Sequence, residues 1–245
     1  MKLFIFDLDG TLYLNSFASK EVINLIYYLQ KKYLVIFFTN ASGNSLIQVQ
    51  ERLLKLGFNC EIDHIYTSSY MTALYLRENN ISDVFVIGTT NFLNEISSFG
   101  ISIIQNSSAK NLVVGLDNKF TYSTLSIALH ILLNNKDGKF ICCNEDKNFP
   151  VNKNISLPGC GAIVSAISAC SDRKPDYVVG KPNTYTLQKI VEKYNISKDE
   201  IIVVGDSLES DIQMAKNFGC KFLLVNHKTI VQKVYKYERS LQWMF

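Results

Sequence analysis

Short, nearly unbroken apolar runs alternate along this chain with stretches in which apolar residues recur every three or four positions. That alternation predicts an α/β protein built on a mostly parallel sheet. Lys2–Phe6, Leu34–Phe38, Val84–Ile87, Leu112–Val114, Phe140–Cys143, Tyr177–Val179 and Ile201–Val204 read as strands. Leu46, Val49, Leu53 and Leu56 make a helical stripe that should stop at Gly57, a residue suited to a left-handed terminator. Leu125, Ala128, Leu129 and Leu132 make a second stripe, and Ala162 to Ala169 a third helix. Leu187, Ile190, Val191 and Tyr194 make a fourth, with Thr184 as its expected cap.

Four of the strands run directly into polar residues. Phe4-Ile5-Phe6 is followed by Asp7-Leu8-Asp9-Gly10-Thr11, two carboxylates two residues apart where a buried strand ends. Charge in that position must meet water or a cation, and residues at this spacing share a face, so both can converge on one hard ion. An aspartate-rich turn ahead of a helix is the competing explanation of these residues taken alone. Leu34–Phe38 ends in Thr39-Asn40-Ala41-Ser42, whose hydroxyls and amide suit an anion or a helix cap. Tyr177–Val179 leads to Gly180-Lys181-Pro182-Asn183, and Ile201–Val204 to Gly205-Asp206-Ser207 with Asp211 one helical turn beyond.

In this order the four segments resemble the four motifs of the haloacid dehalogenase superfamily of aspartate-nucleophile phosphatases, over nearly the whole chain. The resemblance implies a Rossmann-like parallel-sheet core with an inserted smaller α/β cap domain. It implies that Asp7 attacks phosphorus, that Asp9 is general acid and base, and that Lys181 neutralises the site. Thr39, Asn40, Ser42 and Lys181 would hold the phosphoryl group. Mg²⁺ would be bound by Asp7, Asp206 and the backbone carbonyl of Asp9, with Asp211 in an outer shell orienting a metal-bound water or Lys181. Such chemistry needs these residue types: an anionic nucleophile approaches a phosphate ester only when cations screen the charge, and a covalent aspartyl-phosphate divides one difficult hydrolysis into two displacements. Asp9 must carry a proton when the alkoxide leaves; neighbouring Asp7 and Asp206 favour that and the metal opposes it.

The motif-bearing strands lie at the start and in the last third of the chain, so a long segment must leave the sheet and return before Gly180. The expected division is a discontinuous core of 1–78 and 176–245 and a cap of 79–175. Val114-Gly115-Leu116-Asp117, Tyr122 and Pro158-Gly159-Cys160-Gly161-Ala162 resemble the cap of the NagD-like branch of the superfamily. That branch commonly has Thr-Asn-Pro-Asp where this chain has Cys143-Asn144-Glu145-Asp146. Asn144 and Asp146 either read the leaving group or form a turn ahead of Pro150.

Composition narrows the alternatives. The net charge of +3 over 245 residues comes without a basic run, so no nucleic-acid footprint appears and a local phosphate site is the simpler account. No membrane span or leader is expected, and the six cysteines read as small buried hydrophobes in a reducing compartment, so the expected location is cytoplasmic. His64, His130 and His227 are scattered and suggest no zinc site, Ser42 and Ser45 have no triad around them, and the sequons at Asn154 and Asn195 are at the level of chance. Tyr235, Tyr237, Trp243 and Phe245 could close a core edge or a homodimer contact. The sequence thus points to a Mg²⁺-dependent phosphomonoesterase for a small organic phosphate ester. A phosphotransferase or phosphomutase, and a non-catalytic phosphate-binding module on the same scaffold, are the alternatives; a dehalogenase would not need Asp9 or Asp206.

Overall fold

The computed structural model describes residues 2–15, 17–152 and 155–242; Asn154, Trp243 and Phe245 lie outside the described residues. Its strands, in chain order, are β1 (Leu3–Phe6), β2 (Leu34–Thr39), β3 (Ile65–Thr67), β4 (Val84–Ile87), β5 (Asn111–Val114), β6 (Phe140–Cys142), β7 (Asn148–Asn152), β8 (Ile155–Pro158), β9 (Tyr177–Val178), β10 (Ile201–Gly205) and β11 (Lys221–Leu224). The helices are α1 (Lys20–Gln30), α2 (Leu46–Lys55), α3 (Ser68–Glu78), α4 (Thr90–Ser98), α5 (Tyr122–Asn134), α6 (Cys160–Ser171), α7 (Tyr185–Tyr194), α8 (Gln213–Phe218) and α9 (Ile230–Gln242). No described helix is long and apolar enough to cross a membrane.

The chain divides into two compact units. One comprises Met1–Thr39, Ile47–Tyr66 and Lys181–Phe245, the other Asn40–Leu46 and Thr67–Gly180. The first contains a five-stranded sheet in the order β11-β10-β1-β2-β3. β1 pairs in parallel with both β10 (Phe6↔Val204) and β2 (Phe6↔Phe37). From β1 the chain winds outward to β3 and later returns on the other side as β10, so β1 and β10 are neighbours where the winding reverses. At such a switch point the strand ends splay and open a crevice. Phe4, Phe6 and Phe37 are fully enclosed beneath it, each contributing about 1.5–3 kcal/mol of burial energy. α2 ends near Gly57, whose φ is +94°.

The second unit has its own parallel sheet, β4-β5-β6-β9, and an antiparallel hairpin of β7 and β8. Val84 pairs with Asn111 and Leu112 with Phe140, joining three adjacent strands, β4 at the edge and β5 and β6 within, that are buried on both faces apart from Asn111. The short strand before Gly180 belongs to this sheet, because Tyr177 pairs with Ile141 and the Asp176 N–H donates to the Phe140 carbonyl at 2.7 Å. Two local expectations change. Thr184 does stand at the N-cap of α7 but makes no side-chain cap bond; the Asn183 side-chain oxygen accepts from the Tyr185 N–H at 2.9 Å instead. Five cysteines are buried free thiols, but Cys170 near the end of α6 is exposed.

Candidate active site

Asp7 follows β1 as an extension of the sheet, its N–H donating to the Val204 carbonyl at 2.9 Å. The backbone then turns at Gly10, where φ is +88° and a Cβ would lie 2.4 Å from an Asp206 carboxylate oxygen. Both the left-handed conformation and the close approach exclude a side chain there. On the neighbouring strand, β10 ends in Gly205, and a Cβ at that position would meet the Asp211 carboxylate carbon at 2.3 Å. A wide helical turn over Leu208–Ile212 carries Asp211 back over the strand end, and the Ser207 N–H donates to Asp211 Oδ2 at 3.1 Å.

Lys181 completes the arrangement. Its Nζ donates to Asp7 Oδ1 and Asp211 Oδ1, both at 2.6 Å, and to the Phe38 carbonyl at 3.4 Å, with the Phe38 ring centroid 5.2 Å away. The side chain is only 3% exposed. A buried ammonium is tolerated because two carboxylates and a carbonyl replace its water. Asp7, Asp206 and Asp211 each bring an oxygen within 4.8 Å of the other two, the one such grouping of potential ligands among the described residues. Three carboxylates against one ammonium leave two negative charges in a small volume. This all-oxygen, doubly negative set suits a hard divalent ion, whose octahedral shell spans about 4 Å at 2.0–2.1 Å per bond. The Asp9 carboxylate stands outside the grouping; its expected contribution is the backbone carbonyl.

Electrostatics agree with the geometry. Burial pushes the Asp7 carboxyl well above the usual carboxylate range; Lys181 opposes the shift, and Asp211 and Asp206 add to it. Asp206 is raised by desolvation and by Asp211, with Thr11 and Lys181 opposing. Burial works against the Lys181 charge, but Asp211 and Asp7 overcome it and hold the ammonium protonated. Asp9 is exposed on one side yet crowded by protein on the other, and the lost hydration raises its pKa against Arg52, Tyr13 and Lys181. A shift in this direction favours the protonated form that a general acid needs.

The remaining expected site residues fall in two places. Thr39 is the last, buried residue of β2 in the first unit. Asn40, Ser42, Asn144 and Asp146 all belong to the second. There the Asn40 Nδ2 lies 3.2 and 3.1 Å from the two Asp146 carboxylate oxygens, the buried Asn144 amide donates to the Asn40 carbonyl at 2.7 Å, and Ser42 Oγ accepts from the Leu116 N–H at 3.0 Å. Asn144 Oδ1 also accepts from the Asp146 N–H at 3.1 Å, the signature of an Asx turn. Three residues not singled out in the sequence bear on the carboxylates. Thr11 Oγ1 donates to Asp206 at 3.2 Å, and its place directly after Gly10 was the available signal. Arg52 and Tyr13 act on Asp9, but Arg52 reads as one more residue on the polar face of α2 and Tyr13 as a core aromatic.

Comparisons with known proteins agree. The haloacid dehalogenase-like hydrolase family model matches residues 4–102, and a second HAD-hydrolase-like model matches residues 178–232. An acid sugar phosphatase from Staphylococcus epidermidis is 32% identical over 218 residues, covering 88% of this chain and 83% of the relative. Among solved structures, one described as a putative NagD protein superposes with a TM-score of 0.85 at 32% identity, over 92% of this chain and 88% of its own. A glycerol phosphate phosphatase from Mycobacterium tuberculosis, in complex with calcium, gives 0.81 at 25% identity, over 92% of this chain and 66% of its own. The two halves of the motif set, an aspartate pair after the first strand and a lysine and aspartates in the last third, therefore mark this chain as a member of the haloacid dehalogenase-like hydrolases, a phosphatase of their NagD-like branch.

Proposed function

We propose that this chain is a Mg²⁺-dependent phosphomonoesterase that hydrolyses a small organic phosphate through a covalent aspartyl-phosphate on Asp7. The observation that carries the reading is the buried Lys181 ammonium held between Asp7 and Asp211 beside Asp206. Asp7 attacks phosphorus, and the ester oxygen leaves with the proton that Asp9 carries; Asp9 then takes a proton from the water that displaces Asp7. Lys181 fixes the Asp7 carboxylate and offsets the negative charge that gathers at the phosphoryl oxygens. Asp211 spends its oxygens on Lys181 and the Ser207 N–H, which supports an outer-shell role, while Asp7, Asp206 and the Asp9 carbonyl would hold the ion. When bound, Mg²⁺ supplies charge neutralisation that lets two anions approach. Thr39 and the residues after it would receive the phosphoryl oxygens.

The similarity to an acid sugar phosphatase and to a glycerol phosphate phosphatase favours a small polyol or sugar phosphate as substrate, and the cap proposed for 79–175 lies inside the second compact unit. A cytoplasmic location is favoured by five buried free thiols. Phosphate release from sugar phosphates, glycerol phosphate, nucleotides, pyridoxal phosphate and p-nitrophenyl phosphate, with and without Mg²⁺, tests the proposal. Turnover that needs Mg²⁺ is expected for at least one ester. Absence of turnover throughout would favour the non-catalytic alternative, and transfer of phosphate to a sugar hydroxyl in place of water would favour the phosphomutase.

A further inference from the structure

Residues 40–45, between β2 and α2, form neither helix nor strand. Four of their carbonyls are nevertheless satisfied, by side chains at the carboxyl ends of the second unit's strands and the start of α3. Ser68 Oγ donates to the Asn40 and Ala41 carbonyls at 2.7 and 3.2 Å, Ser69 Oγ to Asn44 at 3.1 Å, and Thr89 Oγ1 to Gly43 at 2.8 Å. Asn144 adds a second bond to the Asn40 carbonyl and, through its Oδ1, holds the backbone of Asp146. Asp146 closes the circuit on the Asn40 amide. Asn40 is thereby gripped at both its carbonyl and its side chain.

We propose that Asp146 is a positioning residue of the phosphate-holding loop, acting through Asn40, and not a reader of the ester's leaving group. The inference rests on the reading that Thr39 and its successors receive the phosphoryl oxygens. A group that recognises a leaving group needs a polar atom directed at it, whereas both Asp146 oxygens lie against the Asn40 Nδ2. A bare carboxylate on the approach of a phosphate ester would also repel it; one engaged by an amide and anchored by the Asn144 turn serves better as a strut. Because the phosphoryl group is common to every ester and to the product, a strut affects them all alike.

The test compares wild type with Asp146→Ala, using p-nitrophenyl phosphate and glycerol phosphate as substrates and inorganic phosphate as inhibitor. Loss of this charge-assisted bond should raise both KM values and the phosphate inhibition constant by a common factor of about tenfold, with the ratio of kcat/KM between the two esters held within about twofold. Asp146→Asn, which keeps an acceptor but loses the charge, should show the same pattern at about threefold, and it decides the matter if the alanine protein does not melt cooperatively. A shift of about fivefold or more in the ester ratio with an unchanged phosphate constant would overturn the inference, as would no change in any constant. A wild type that turns over no ester of the wider panel would instead sink the phosphatase reading on which it stands; if it turns over others, the same comparison is made with two of those.

Discussion

Each unit exposes the carboxyl ends of a parallel sheet, and the two ends are finished in opposite ways. In the first, the residues beyond β1 and β10 are carboxylates wrapped around one buried ammonium, with two negative charges in excess. In the second, the residues beyond β4, β5 and β6 are a threonine hydroxyl, a backbone N–H and an asparagine amide, largely neutral groups whose hydrogen bonds are met by residues 40–46. Only the first sheet reverses its winding and so opens a crevice between two strand ends; the strands of the second follow one another in chain order. Where the lining is a satisfied hydrogen-bond network, the strand ends become a mount for a loop. Where it is charge out of balance, they become a site suited to a cation.

The contrast can be broken first at Asp7. Asp7→Asn should lower phosphate release by roughly 10⁴-fold or more and abolish any trapped phospho-enzyme; appreciable residual hydrolysis would remove Asp7 from the nucleophile's role. Lys181→Met should cost about 3–5 kcal/mol, because it strips the buried carboxylates of their shared cation, and a chain of this size should then melt roughly 10 °C lower in calorimetry. A melting point equal to wild type would mean the cluster carries no electrostatic strain. Asn144→Ala, in the neutral network, should cost less, about 1–3 kcal/mol.

Divalent ions sharpen the comparison further. Asp7, Asp206 and Asp9 have raised pKa values in the folded protein, so with chelator present the folded state holds protons that the unfolded chain has released. Stability should therefore fall as pH rises from the ordinary carboxylate range through the raised values. Mg²⁺ at a hundred times its dissociation constant should restore about 2.7 kcal/mol at neutral pH and flatten that dependence. Melting curves that are identical with EDTA and with Mg²⁺ would contradict the ion site. The smallest effect is expected at Ser42, whose hydroxyl accepts from the Leu116 N–H: Ser42→Ala should cost about 1 kcal/mol in urea unfolding. A rise in KM without any loss of stability would show instead that Ser42 acts on phosphate.

What the sequence disclosed follows from the range of each interaction. Seven of the eleven described strands and four of the nine described helices were legible because their periodicity is local, and so were the ends of β1 and β10 that carry Asp7, Asp206 and Asp211, since a parallel sheet brings such ends to one edge; Lys181, by contrast, follows a strand of the other sheet. The pairing of Asn40 with Asp146 spans 106 residues and has no local signature. The same holds for the strand at Tyr177, whose apolar residues announce a strand but not which sheet will accept it. Thr184 holds the N-cap of α7 without a side-chain bond because its backbone there, at φ −94° and ψ 0°, departs from the extended geometry such a bond needs, while Asn183 forms an Asx turn to the Tyr185 N–H. The exposure of Cys170 depends on which face of α6 meets the sheet, and an almost wholly apolar helix does not declare its face.

Residues 40–46 also bear on how this architecture can be taken apart. The polypeptide passes between the two units at four points, after Thr39, Leu46, Tyr66 and Gly180. A fragment cut to 67–180 would therefore lack the heptapeptide that accepts bonds from Ser68, Thr89 and Asn144, and those donors would have to turn to solvent. Grafting this unit onto another scaffold, or exchanging it for a foreign one, would succeed only if the donor's heptapeptide travelled with it as a separate insertion.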